Sequence, residues 1–220
     1  MMPQMGEKTL ELQPEAVKQA ALAERIIISK IDLIEKDKEL SLETRLRAIN
    51  PSTKIIKSSF GDVSISDLID LGAYDPYSKS RDVKEWLAVE SMDTHHDHHS
   101  VNVNRHDENI EAFSMTSDTP VNMMAFGLFK DLLMAQMGPD LLRLKGIINI
   151  EGKDHPAVIH GVQHIFHPLH WLEKWPDSDR QTKLVFITRN IKKEQIEGFF
   201  NALMGLVGEK GMPKEIADLL

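Results

Sequence analysis

Residues 25–32 read RIIISKID, and the architecture follows from how that stretch is placed. Ile26, Ile27 and Ile28 in succession predict a short strand buried on both faces, as in a parallel sheet. The apolar run then gives way to Ser29, Lys30, Ile31 and Asp32. Polar side chains at the carboxyl end of a parallel strand sit where open α/β sheets bind ligands. Upstream, PEAVKQAALAE from Pro14 predicts a short helix. Pro suits its first turn, and Val17, Ala20, Ala21 and Ala23 are small enough to pack closely on a sheet. Residues 1–13 show no clear period and read as a loop or arm. Downstream, the acidic stretch IEKDKE reads as a loop. Ser41 is expected to cap a helix carrying Leu42, Leu46 and Ile49, which Pro51 ends. TKIIK at 53–57 predicts a second strand. Strand, helix, strand in this order is a βαβ unit with a right-handed crossover. Ser66 is expected to cap a last short helix over 67–71.

Ser29, Lys30 and Asp32 stand in the Ser-Lys-x-Asp order, which resembles the [NTS]KxD element by which GTPases read guanine. The chemistry asks for these residue types. A carboxylate accepts from the N1–H and exocyclic amine of guanine, and adenine lacks that donor pair. A lysine stem can lie along the base plane while its ammonium stays solvated. A site built on such hydrogen bonds rejects the analogue that lacks them. The other reading of four such residues is a surface Lys/Asp loop after a strand. Two parallel strands do not make a stable sheet covered on both faces. The sequence also contains no G-x-x-x-x-G-K-[ST] phosphate loop. Residues 1–72 therefore read as the C-terminal part of a P-loop GTPase-like domain.

Composition narrows the classes. Of 220 residues, 41% are hydrophobic and 27% charged, ordinary for a globular protein. The net charge of −8 argues against general affinity for nucleic acid or an anionic membrane. There is no cysteine, so disulfides and thiolate metal sites are excluded within this chain. No apolar run reaches the ~20 residues of a membrane helix. The first residues lack the pattern of a signal peptide. The expectation is a cytoplasmic protein.

Residues 73–109 form a polar boundary that holds MDTHHDHHSVNVNRH. His95, His96, His98 and His99, with Asp93 and Asp97, make a His-rich tract. Neutral imidazoles are good ligands for zinc and other divalent transition metals. On a helix His95, His98 and His99 would share a face. The competing reading is a solvated linker.

From residue 110 a second domain begins. The pattern predicts a strand at 110–117 and a helix from Pro120 to about Met137. Met124, Leu128, Leu132 and Met134 to Met137 are expected on its apolar face, the methionines as core filler. Strands follow at 141–150, 156–166 and 182–188, the first two antiparallel across the EGKDH turn, then a helix over 190–206. This is a small α+β sandwich with helices on one face of an antiparallel sheet. On one extended strand His160 and His164 would be ~13 Å apart, too far to share a zinc ion unless the strand bends. His167 and His170 flank Pro168 and Leu169, and read as structural histidines or partner contacts.

A resemblance covers nearly the whole chain. QAALAERIIISKIDL, then LRAINPSTKI and SSFGDVSISDLID, is similar to the end of the GTPase domain of CobW-type proteins. DLLRLKGIINIEGKDHPAVIHGVQHIFHP and LEKWPDSDRQTKLVFITR resemble the CobW C-terminal domain. The resemblance implies an α/β protein: a partial P-loop-type βαβ subdomain at 1–72, a His-rich linker at 73–109, and the CobW C-terminal domain at 110–220. It implies Ser29, Lys30 and Asp32 as guanine-reading residues. The family comprises P-loop GTPases that act as metallochaperones or metal insertases, many for zinc and some for cobalt. Its members often carry a His-rich loop between the two domains. The implied function is the C-terminal portion of a GTP-dependent metallochaperone delivering zinc, or another divalent transition metal, to a client metalloprotein. The phosphate loop, the Mg²⁺-binding residues and a Cys-x-Cys-Cys motif of the family would lie upstream of Met1. GTP and Mg²⁺ are thus expected only where that part is supplied, and the chain alone is expected not to turn over GTP. The alternative is a non-enzymatic interaction module that docks a client or a separate GTPase subunit. A homo-oligomer is a further candidate assembly.

Overall fold

The computed structural model describes residues 14–69 and 110–208, together with Leu10. The fold is mixed α/β, with a parallel strand pair and an antiparallel sheet. The chain divides into two compact units, Met1–Ala112 and Phe113–Leu220.

In the first unit, α1 (Pro14–Leu22) leads into β1 (Arg25–Ser29). A 3-10 turn (Ile31–Leu33) and α2 (Lys36–Ile49) connect it to β2 (Lys54–Ser58), and α3 (Ile65–Ile69) follows. The strands pair in parallel, with Arg25 beside Lys54 and Ser29 beside Ser58. This is the βαβ unit expected. Helix α2 begins earlier than its sequence suggested, at Lys36, so Ser41 lies inside it and most of IEKDKE is helical. Asp37 and Glu39 in the first turn favour the positive end of the helix dipole. Glu39 and Glu43 both reach Lys57 of β2, at 2.7 and 2.8 Å. Helix α3 likewise starts at Ile65, one residue before the expected cap Ser66.

The isoleucine strand is not buried on both faces. Register puts Ile28 on the same side as Lys57, the side along which α2 runs, and Ile28 is buried. Ile27 points the other way and is 43% exposed. Arg25 donates to the carbonyls of Ser66 and Asp67, and Lys54 pairs with Asp67 at 2.7 Å.

Asn50 joins the pieces. Its side chain is fully buried, and its Nδ2 donates to the carbonyls of Ala20, Ala21 and Ala23 at 3.0–3.1 Å. Thr53 Oγ1 adds a bond to the Ala23 carbonyl at 3.1 Å. The last carbonyls of a helix have no partner within it. Here a residue just past the end of α2 supplies the donor, fixing the angle at which α1 delivers the chain into β1.

The second unit begins within β3 (Ile110–Ser117) and contains α4 (Met123–Met137), β4 (Leu141–Ile148), β5 (Ala157–Val162), β6 (Ile165–Phe166), β7 (His170–Trp171), β8 (Thr182–Arg189) and α5 (Lys193–Gly208). Its sheet runs β3-β8-β4-β5-β6, with β7 also on β5. Strand β4 is central and antiparallel to both neighbours. Alternate residues Leu144, Ile148, Ile159, Leu184 and Phe186 face α4 and α5, which supply Phe126, Phe129, Leu133, Ile196 and Phe200. Phe129 centres this core, with ring centroids 6.0, 5.7 and 5.2 Å from Phe126, Phe199 and Phe200. Gly146 lies on the core side of β4, where an added Cβ would stand 2.2 Å from Leu184 Cδ2 and 2.8 Å from the Lys183 carbonyl oxygen.

Three expectations for this unit change. Helix α4 is capped by Asn122, whose Oδ1 accepts from the Met124 and Ala125 amides, rather than opened by Pro120. Its fully buried face is Ala125, Phe126, Phe129 and Leu133; Leu128, Leu132, Met134 and Met137 pack against the core as expected, while Met124 is 56% exposed. Finally, the single strand expected over 156–166 reverses at Gln163, whose φ of +53° starts the two-residue turn between β5 and β6.

Candidate functional site

The carboxyl end of β1 brings together the residues singled out for base reading. Ser29 is the last residue of the strand and is exposed. Lys30 adopts a left-handed backbone, φ 60° and ψ 36°. That conformation breaks the strand and starts the 3-10 turn, closed by the Leu33 amide on the Lys30 carbonyl at 3.1 Å. Asp32 sits in that turn with its carboxylate exposed. The three side chains thus lie on four consecutive residues at one strand end.

Strand β2 contributes a second group that the sequence reading passed over. Ser58 is the register partner of Ser29, so the two serines stand side by side. Ser58 is 2% exposed, and its Oγ has no hydrogen-bond partner. Beyond it, residues 59–62 make a tight turn, with the Asp62 amide bonded to the Ser59 carbonyl at 2.9 Å. Both central residues, Phe60 (φ 54°) and Gly61 (φ 81°), are left-handed. A serine repeated at the ends of two neighbouring strands, followed by an aromatic and a glycine, is the sequence signal that could have found this loop.

Strand β2 is charged next to Ser58 as well, at Lys57. Glu43 accepts from Lys57 and Arg47, and these two cations, Lys57 first, hold its carboxyl below the ordinary carboxylate range. Glu39 and Glu43 raise the Lys57 ammonium above the usual lysine value. These pairs fasten α2 to β2 and so hold the loop ends in place.

The tract His95, His96, His98 and His99 lies outside the described residues. Among the described residues no group of three His, Cys, Asp or Glu side chains could hold a metal ion. His160 and His164 are not two positions of one straight strand. His164 is in the β5–β6 turn, and His160 instead stands opposite His167, whose amide donates to its carbonyl at 3.0 Å. On β7, His170 pairs with Val158 of β5. No described helix is long and apolar enough to cross a membrane.

Comparison with known proteins assigns the second unit. The family model of the cobalamin synthesis protein cobW C-terminal domain matches residues 110–204. The second unit is a cobW C-terminal domain. The chain that carries this cobW domain is also similar to the zinc chaperone YjiA of Escherichia coli (strain K12). They are 23% identical over 188 residues, 86% of this chain and 54% of YjiA. It is 28% identical over 203 residues to the zinc-regulated GTPase metalloprotein activator 1 of Saccharomyces cerevisiae, covering 81% of this chain and 44% of that protein. The chain therefore spans about half the length of these relatives. Among solved structures, Zn(II)-bound YjiA GTPase from E. coli superposes with a TM-score of 0.69 at 22% identity, over 90% of this chain and 57% of that one. At that identity the likeness is one of fold. Alignments of this length extend beyond the cobW domain into the first unit.

Proposed function

We propose that this chain carries the guanine-reading strand end and the cobW C-terminal domain of a GTP-dependent metallochaperone that delivers zinc to a client metalloprotein. The observation that carries this reading is the similarity to a zinc chaperone and to a zinc-regulated GTPase activator across both units. The geometry of the β1 end supports it. Asp32 is exposed in the turn that Lys30 opens at the strand end. There its carboxylate would accept the N1–H and exocyclic amine of guanine. The Lys30 stem would lie along the base. No residue of this chain is assigned to the phosphates or to Mg²⁺, because its sequence holds no phosphate loop. GTP hydrolysis is thus a property of the complete GTPase.

Zinc is the cargo in this reading, and the His-rich tract is its carrier. Zinc takes four ligands in a tetrahedron. Neighbouring imidazoles cannot all reach one ion, so two or three of His95, His96, His98 and His99 bind, with water or Asp completing the shell. The test is zinc titration calorimetry on the chain and on a variant with all four histidines changed to alanine. The variant should lose uptake. Wild-type binding should weaken as pH falls through about 6.5, where imidazole takes up a proton. Equal uptake by both proteins would refute the carrier role.

A further inference from the structure

The loop after β2 holds an aromatic side chain with no role in the fold. Phe60 is 92% exposed, the most exposed large hydrophobic residue described. Its backbone is left-handed, a conformation uncommon for any residue but glycine and an outlier for a bulky one. Only four described non-glycine residues have positive φ, and two of them, Lys30 and Phe60, are where β1 and β2 leave the parallel pair. Lys30 is one residue past Ser29, and Phe60 is two past its register partner Ser58. Neighbouring strands are about 4.8 Å apart, so the two exits are adjacent.

An exposed aromatic held in an unfavourable backbone state is a feature that function, rather than stability, retains. Its surroundings decide what it would meet. Ser59, Gly61, Asp62 and Ser64 flank it, with half-buried Val63 between the last two and Ile65 beyond, so Phe60 is the single ring of a mostly polar loop. A protein-docking surface is a contiguous apolar patch. A lone ring beside polar groups suits a flat, polar-edged ligand.

We infer that Phe60 is a stacking platform for the purine base, opposite the stem of Lys30, while Asp32 reads the base edge. The inference rests on the guanine-reading proposal and adds a division of labour to it. Stacking is tolerant of base identity, because every base has a π-face. Phe60 therefore supplies affinity for any purine, and Asp32 supplies the choice of guanine.

The experiment is an NMR titration of the full chain with GMP and, separately, AMP. Variants are Phe60→Ala, Phe60→Leu, Phe60→Trp and Asp32→Ala. For the wild type we expect upfield ring-current shifts of the base protons and tighter binding of GMP than of AMP. Phe60→Ala and Phe60→Leu should weaken both nucleotides by about 5- to 150-fold, the range that base–aromatic stacking supplies. Phe60→Trp should retain binding. Asp32→Ala should abolish the preference for GMP. Because Phe60 is exposed, the unfolding midpoint of its variants should match the wild type, which separates lost stacking from lost fold. Unchanged GMP binding in Phe60→Ala and Phe60→Leu, with the preference still lost in Asp32→Ala, overturns the platform and leaves the guanine reading standing. No preference for GMP in the wild type, or no binding up to the solubility of GMP, overturns both.

Discussion

Replacing Asn50 by aspartate changes one group and should unfasten the first unit. The Nδ2 amine faces three carbonyl oxygens at 3.1, 3.1 and 3.0 Å, and Ser52 Oγ donates to Oδ1 at 3.1 Å. The amine has two hydrogens, so the three contacts amount to two full bonds with one shared. Asn50→Ala removes these; the Ala23 carbonyl keeps Thr53 Oγ1 and the Ala20 carbonyl keeps the Ala23 amide, so the Ala21 carbonyl loses its donor, at about 1–3 kcal/mol for that group on top of the lost bonds. The total is roughly 2–4 kcal/mol. Asn50→Asp is nearly isosteric, yet it turns a carboxylate oxygen toward the same three acceptors. An uncompensated buried charge costs about 3–5 kcal/mol. Aspartate should therefore be worse than alanine, although it is closer in shape. Against a total stability of about 5–15 kcal/mol, either loss is large. All three acceptors belong to the first unit, so the effect should be confined there. Hydrogen exchange read by mass spectrometry should show lost protection over residues 14–58 and wild-type protection over 141–189. Urea unfolding should show an earlier first transition. If Asn50→Asp exchanges and unfolds like the wild type, the three bonds do not hold α1 to β1 as argued.

Two further outcomes follow from the packing and charges. Glu43 is held below its ordinary value by Lys57 and Arg47, so its contribution is present at neutral pH. That contribution should fade as pH falls through the depressed value in the folded state. The stability of the first unit should then drop on acidification, and Glu43→Gln should flatten that part of the profile; parallel profiles would remove Glu43 from the account. Gly146→Ala places a methyl group against Leu184 and the Lys183 carbonyl. It should cost about 1–3 kcal/mol by overpacking. An unchanged thermal midpoint for the second unit would show that β4 and β8 can part without penalty.

The legible parts of this protein were those written in consecutive residues. The run Ile26–Ile28, the alternation in β4 and β8, and the apolar period of α5 each declare their element locally, because side-chain period follows backbone geometry. The polar residues after β1 likewise placed Ser29, Lys30 and Asp32 at a strand end. The face that α4 buries was less legible. Its methionines and phenylalanines interleave, and only packing decides that Phe126 and Phe129 turn inward while Met124 turns out.

What tertiary structure alone decided lies between segments distant in sequence. Nothing around Asn50 marks it, since its three acceptors are 27 to 30 residues away. Ser58 joins the site only because parallel register sets it beside Ser29. The left-handed turn at Phe60 is equally invisible, because phenylalanine is not a residue that sequence rules place at positive φ. Helical and strand periods are properties of neighbours along the chain, so the sequence determines them directly. Caps made across the fold, strand register and an exposed ring at a loop depend on which segments meet, and that is settled only when the whole unit packs.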